Sequence, residues 1–73
     1  MNLKIYLSRS PVELYKILKF ESLVNSGAQA KIAIENGEVK LNDQVVFQKR
    51  KKINYGDQIE FMAVKYTCVP LSK

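Results

Sequence analysis

A chain of 73 residues has room for one buried core, and 47% hydrophobic with 26% charged residues excludes a disordered tail. It holds no histidine and one cysteine, Cys68, which excludes an internal disulfide, the common zinc ligand sets and histidine-based catalysis. The net charge of +5 is concentrated: residues 1–48 carry six basic and five acidic side chains, whereas residues 49–73 carry six and two.

In chain order, Leu3, Ile5 and Leu7 alternate with polar residues and predict a first strand. Ser10-Pro11-Val12-Glu13 reads as a helix start, with Ser10 as cap, Pro11 in the first helical position and Glu13 reaching back to the cap amide. The helix places Leu14, Ile17, Leu18 and Glu21 along one side, turns Lys16 and Lys19 outward, and ends near Lys19 or Phe20. Ser26, with Gln29 three residues on, starts a second helix that Gly37 stops in a left-handed conformation. Ala30, Ala33 and Ile34 share one side of it and Ala28 and Ile32 the other, so the helix is expected to be wedged between helix one and a sheet.

Val39 and Leu41 alternate, Asn42-Asp43 offers a tight turn, and Val45 and Phe47 resume the alternation on the return strand. After the basic run Lys49-Arg50-Lys51-Lys52, Asn54-Tyr55-Gly56-Asp57 marks a turn, and Gln58 to Met62 alternates with Ile59 and Phe61 inward. A last strand runs from Val64 to Val69. The order strand, two helices, strands, with a small and mostly antiparallel sheet, is an α+β fold in one domain over residues 1–73.

Chemistry is sparse. Cys68 reads as a packed apolar residue, Glu13 as a capping residue and Asp57 as a turn residue, and the three glycines fall at turns and helix ends, not in a phosphate loop. No catalytic residue, metal site or cofactor is expected. No stretch approaches the ~20 apolar residues of a spanning helix, so no membrane partner is expected, and the free cysteine points to a reducing, cytoplasmic setting. The basic run remains: either a solvated loop or a site for a polyanion, since clustered cations attract phosphates in a way diffuse charge does not.

Ser26, Ala30, Lys31, Ile34, Gly37, Val39, Leu41-Asn42, Val45-Val46, Ile53 and Gly56-Asp57-Gln58-Ile59 favour the second reading. In residue type and spacing they resemble the alpha-L RNA-binding motif, the small domain named after the fourth protein of the small ribosomal subunit. The likeness covers about half the chain closely, extends through helix one to a core motif over 12–62, and is greatest to the free-standing bacterial members. It implies two short packed helices against a small sheet, and a surface for structured RNA. By position in the family, Ser26, Gln29 and Lys31 at the start of helix two contact RNA, with Lys49, Arg50, Lys51 and Lys52 after the hairpin and Lys16 and Lys19 on helix one. The plainer role for Lys31 is a surface pair with Glu35 one turn on, worth about 0.2–0.5 kcal/mol. The chain departs from the family at Gly27, where arginine is frequent, at Ala28, where a hydroxyl residue is frequent, and at Asp43, where a turn glycine is common.

The resemblance implies a non-catalytic, monomeric binder of structured RNA, ribosomal RNA in subunit assembly or maturation, with a ribosomal subunit or an RNA-modifying enzyme as partner. Contacts to phosphates and shape are expected, since duplex RNA hides its base edges in a deep groove. The competing expectation is a protein adaptor that meets an acidic partner with the basic patch and adds an edge strand near Tyr66 to its sheet.

Overall fold

Alternating side chains on one side of a sheet and one face of each of two helices close a single core. The computed structural model describes residues 2–71; Met1, Ser72 and Lys73 of the expected 1–73 domain lie outside the described residues. The elements are β1 (Asn2–Leu7), β2 (Val12–Glu13), α1 (Leu14–Phe20), α2 (Gly27–Glu35), β3 (Val39–Leu41), β4 (Gln44–Val45), β5 (Lys52–Ile53), β6 (Gln58–Phe61) and β7 (Val64–Pro70). Five strands form a sheet in the order β1-β7-β6-β3-β4, parallel between β1 and β7 and antiparallel elsewhere, and β2 pairs with β5 in a second, two-stranded ladder. This is the α+β class and the mostly antiparallel sheet that the sequence indicates.

Ile5 and Leu7 of β1, Val39 of β3, Ile59 and Phe61 of β6 and Cys68 of β7 are buried against Leu14, Ile17 and Leu18 of α1 and Ala30, Ala33 and Ile34 of α2, with Ile53 of β5. Each large aliphatic side chain removed fully from water contributes about 1.5–3 kcal/mol, so these thirteen positions supply most of the driving force. Cys68 is fully buried, as its reading as a packed residue requires. The small Ala30 and Ala33 let α2 lie close on α1.

α2 begins and ends as its sequence dictates. Ser26 Oγ accepts the Gln29 amide at 3.1 Å, and Gln29 Oε1 accepts the Asn25 amide at 3.0 Å. Gly37, at φ +76°, donates its amide to the Ile34 carbonyl while Glu38 donates to Ala33, the paired bonds of a Schellman stop. The hairpin turn also forms, with Asn42 and Asp43 at φ +51° and +69°; Asp43 takes the position of the missing glycine and binds Lys65 at 2.8 Å. The Asn42 side chain accepts from the Gln58 amide and donates to Asp57, whose second carboxylate oxygen accepts from the Asn54 amide, tying the two turns together.

Six expectations need correction. The segment Ser10 to Glu13 does not start α1: Val12 and Glu13 pair with Ile53 and Lys52, and Ser10 donates its hydroxyl to the Asn54 side chain at 3.2 Å. Backbone groups committed to a ladder cannot open a helix, so α1 starts at Leu14, and Glu13 at its N-cap makes no side-chain cap bond. Glu21 is exposed at the C-cap, outside the buried side of α1. α2 buries one face only, leaving Ala28 exposed and Ile32 55% exposed, because both the sheet and α1 lie on the Ala30–Ile34 side. Val45 and Phe47 are exposed; β4 ends after two residues and Val46, whose amide reaches the Val39 carbonyl, turns inward instead. Met62 belongs to a second turn with Ala63, both at positive φ, formed without the Asn or Gly that would have marked it. Tyr66 is not on an edge either, since β7 lies between β1 and β6.

Candidate nucleic-acid interface

The basic run is fixed to the start of α1 by its own backbone. The first amides of a helix have no partner within it, and a side-chain cap usually supplies one. Here Leu14 donates to the Lys51 carbonyl at 2.9 Å and Tyr15 to the Lys49 carbonyl at 3.1 Å. The β2–β5 ladder continues the attachment, setting Lys52 opposite Glu13. With their carbonyls turned to the helix, the residues of the run send their side chains outward: Arg50 is 65% exposed, and Lys51 and Lys52 are exposed.

Side chains from three segments meet at Tyr15. The Lys31 ammonium of α2 lies 4.8 Å from the centre of its ring and the Arg50 guanidinium 5.9 Å from it, both within cation–π range. A Cβ on Gly27 would come 3.9 Å from the Lys19 stem and 3.9 Å from the Tyr15 ring, so Lys19 lies beside the same ring at the start of α2. Lys49 donates to Glu35 at 2.8 Å, bridging the loop to the end of α2. Glu35 thus serves Lys49, and Lys31 is held by the ring. Glu13 lies 3.4 Å from Lys16 and 3.9 Å from Arg50. Its burial works to raise the carboxyl pKa, but the hydrogen bond and charge of Lys16, with the charges of Lys52 and Arg50, outweigh it and hold the group below its ordinary value.

Lys16, Lys19, Lys31, Lys49 and Arg50 therefore share one face across the α1–α2 seam, with Lys52 at its border beside Glu13. Lys51 contributes its carbonyl to α1 and an exposed side chain. Ser26 and Gln29 are occupied in the α2 cap. Gln29 also lies about 160° around the helix from Lys31 at 100° per residue. It lines a groove on the far side with Val24, Ile32, Ala33, Glu38 and Phe61, away from the cations.

Sequence reasoning gave no site role to Tyr15, Glu13 or Glu35. Tyr15 carried one usable sign: it sits four residues before Lys19 on an exposed flank of α1, where an aromatic ring among lysines can meet cations. Of the other tyrosines, Tyr66 is half-buried against the core, while Tyr6 and Tyr55 are exposed.

A helix pair backed by a hairpin sheet, with a basic segment capping the first helix, defines a small α+β module of the alpha-L type. Residues 5–69 match the S4 domain family, and the chain belongs to it. The YbcJ protein of Escherichia coli strain K12 is 50% identical over 50 residues, spanning 68% of this chain and 71% of YbcJ, and the Shigella flexneri YbcJ matches equally. The solution structure of Escherichia coli YbcJ, described as revealing an alpha-L motif involved in RNA-binding, covers 93% of this chain and 85% of its own, with a TM-score of 0.64 and 38% identity. The 30S ribosomal protein S4e of Thermoplasma acidophilum matches 81% of this chain with a TM-score of 0.68 and 25% identity, but this chain spans only 31% of it.

Proposed function

We propose that this protein is a non-catalytic RNA-binding module that grips structured RNA across the α1–α2 seam. The observation that carries the reading is the meeting of Lys31 from α2 and Arg50 from the basic segment at the Tyr15 ring. Cations fixed by a shared aromatic face and by backbone bonds lose little freedom when a phosphate arrives, and that favours binding. Lys16, Lys19 and Lys49 extend the surface, and Lys51 and Lys52 border it. Arg50 presents a flat fork suited to bidentate phosphate contact, while the lysines act as point charges.

The family supports RNA as the ligand, and the likeness to a ribosomal protein supports ribosomal RNA; the setting proposed for it is subunit assembly or maturation in the cytoplasm. Recognition runs through phosphates and helix shape. A ribosomal subunit or an RNA-modifying enzyme is the partner, and the protein acts as a monomer. The test is cross-linking in cells followed by sequencing of the bound RNA. Ribosomal RNA should dominate and its reads should fall when Lys31 and Arg50 are both replaced by alanine; an even spread over cellular RNA rules out the ribosomal assignment.

One feature supports the adaptor reading as a second role. β1 is an open sheet edge, and beside it lies a cleft of about 350 Å³ lined by Tyr6, Leu7, Arg9, Val12, Ile17 and Phe20 among others. Protein that co-purifies after exhaustive nuclease treatment would establish it.

A further inference from the structure

Three cations of the proposed interface are already engaged by carboxylates of the protein itself. Glu13 holds Lys16 and Arg50, and Glu35 holds Lys49. Among the described residues, neither carboxylate accepts a backbone hydrogen bond. Glu13 makes no cap bond, and the Glu35 side chain is 52% exposed at the end of α2. Other acids have structural work: Asp57 ties two turns together and Asp43 anchors the hairpin to Lys65.

We propose that Glu13 and Glu35 are built-in competitors for phosphate, occupying Lys16, Arg50 and Lys49 until an RNA backbone displaces them. This rests on the interface proposed above and assigns it a selectivity device. A carboxylate and a phosphate use the same donors, so each excludes the other from a given ammonium or guanidinium. A single phosphate must displace a rival already tethered nearby, at the cost of its own translational freedom. A folded RNA that brings several phosphates at fixed spacing loses that freedom once and displaces both carboxylates. The Lys49–Glu35 pair is exposed and therefore weak, and Lys16 and Arg50 present exposed cations to Glu13, whose own side chain is 16% exposed, so such a ligand reaches all three. Arg50 is the natural point of entry: at 3.9 Å its contact with Glu13 is loose, and Tyr15 steadies the guanidinium when Glu13 leaves. The outcome is a threshold that single phosphates and loosely held polyanions do not cross.

The test measures affinity of the full chain for a short RNA hairpin and for poly(U) by fluorescence anisotropy at low salt. Glu13→Gln and Glu35→Gln, singly and together, remove charge while keeping shape; circular dichroism confirms folding. Each lost carboxylate should tighten binding about threefold for a phosphate some 6 Å away in water, and the double variant about tenfold. Glu35→Asp should behave as wild type, and so should Glu60→Gln, which lies on the sheet opposite Lys40 and Lys65. Unchanged or weaker binding in the double variant, or an equal gain in Glu60→Gln, overturns the competitor role. If Lys31→Ala/Arg50→Ala lowers affinity in that same experiment, the interface stands and only this inference goes. If no variant or wild type binds RNA, both go.

Discussion

Replacing Lys31, Lys49 and Arg50 together by alanine removes one cation from α2 and two from the basic segment, and its effect can be worked out in advance. Each phosphate neutralised adds about 0.7–0.9 to the slope of log affinity against log salt. At ~0.15 M salt that amounts to roughly a fivefold gain per contact, so losing three costs about 100-fold, or ~2.7 kcal/mol. At ~0.05 M the same three contacts are worth about 1,000-fold, so the deficit must widen as salt falls and the slope must shrink by about 2.4. Stability should barely change: the three side chains make exposed ion pairs or cation–π contacts, each worth up to about 1 kcal/mol. The backbone bonds from Leu14 and Tyr15 to the run survive alanine substitution, because they use carbonyls. Anisotropy titrations with an RNA hairpin across this salt range, with far-UV circular dichroism as the control, measure both quantities. Wild-type affinity in the triple variant would refute the site. A weakened affinity with an unchanged slope would refute the phosphate mechanism.

Three further outcomes follow from the same geometry. Tyr15→Phe should keep RNA affinity within about twofold, since a cation–π contact uses the ring face, whereas Tyr15→Ala should weaken binding and cost about 2 kcal/mol in urea unfolding. Gly37→Ala places a Cβ 3.2 Å from the Phe47 ring at φ +76°. It should cost about 1–2 kcal/mol, which a thermal melt of a domain this size reads as a drop of roughly 4–16 °C. Cys68 titrates near its ordinary 9.0 when unfolded, but burial, then the charges of Asp57 and Glu21, push the folded thiol up to about 11. The unfolded chain therefore sheds that proton first, and stability present below pH 9 falls as pH rises toward 11. Urea unfolding across that window should show the loss in wild type and less of it in Cys68→Ala.

The fold was legible wherever one local rule decided an element. Ser26, Gln29 and Gly37 bracket α2 by bonds within a few residues of each other, and Asn42-Asp43 closes its own hairpin, so pattern alone located them. Failures came where a distant segment overrode a local rule. Ser10-Pro11-Val12-Glu13 has every feature of a helix start, yet Ile53 and Lys52, some forty residues on, take Val12 and Glu13 into a ladder. The amphipathic pattern of α2 promised a second partner for Ile32, but nothing in a helical wheel says on which side the sheet will lie.

The candidate site divides in the same way, and the division explains its construction. Charge is a property of side chains and is visible in the sequence, so Lys49 to Lys52 stood out at once. Their placement is a property of the backbone. The carbonyls of Lys49 and Lys51 satisfy the Tyr15 and Leu14 amides, and any residue other than proline at 14 and 15 could donate those bonds equally well. No side-chain pattern encodes such a contact, so the sequence showed a cationic loop without showing that it caps α1. Once the loop is there, Tyr15 must lie under Arg50, and the Lys31 turn of α2, packed on α1, must face the same ring. The same failed helix start thus creates the surface: had Ser10 capped α1, the basic run would have had no helix end to hold.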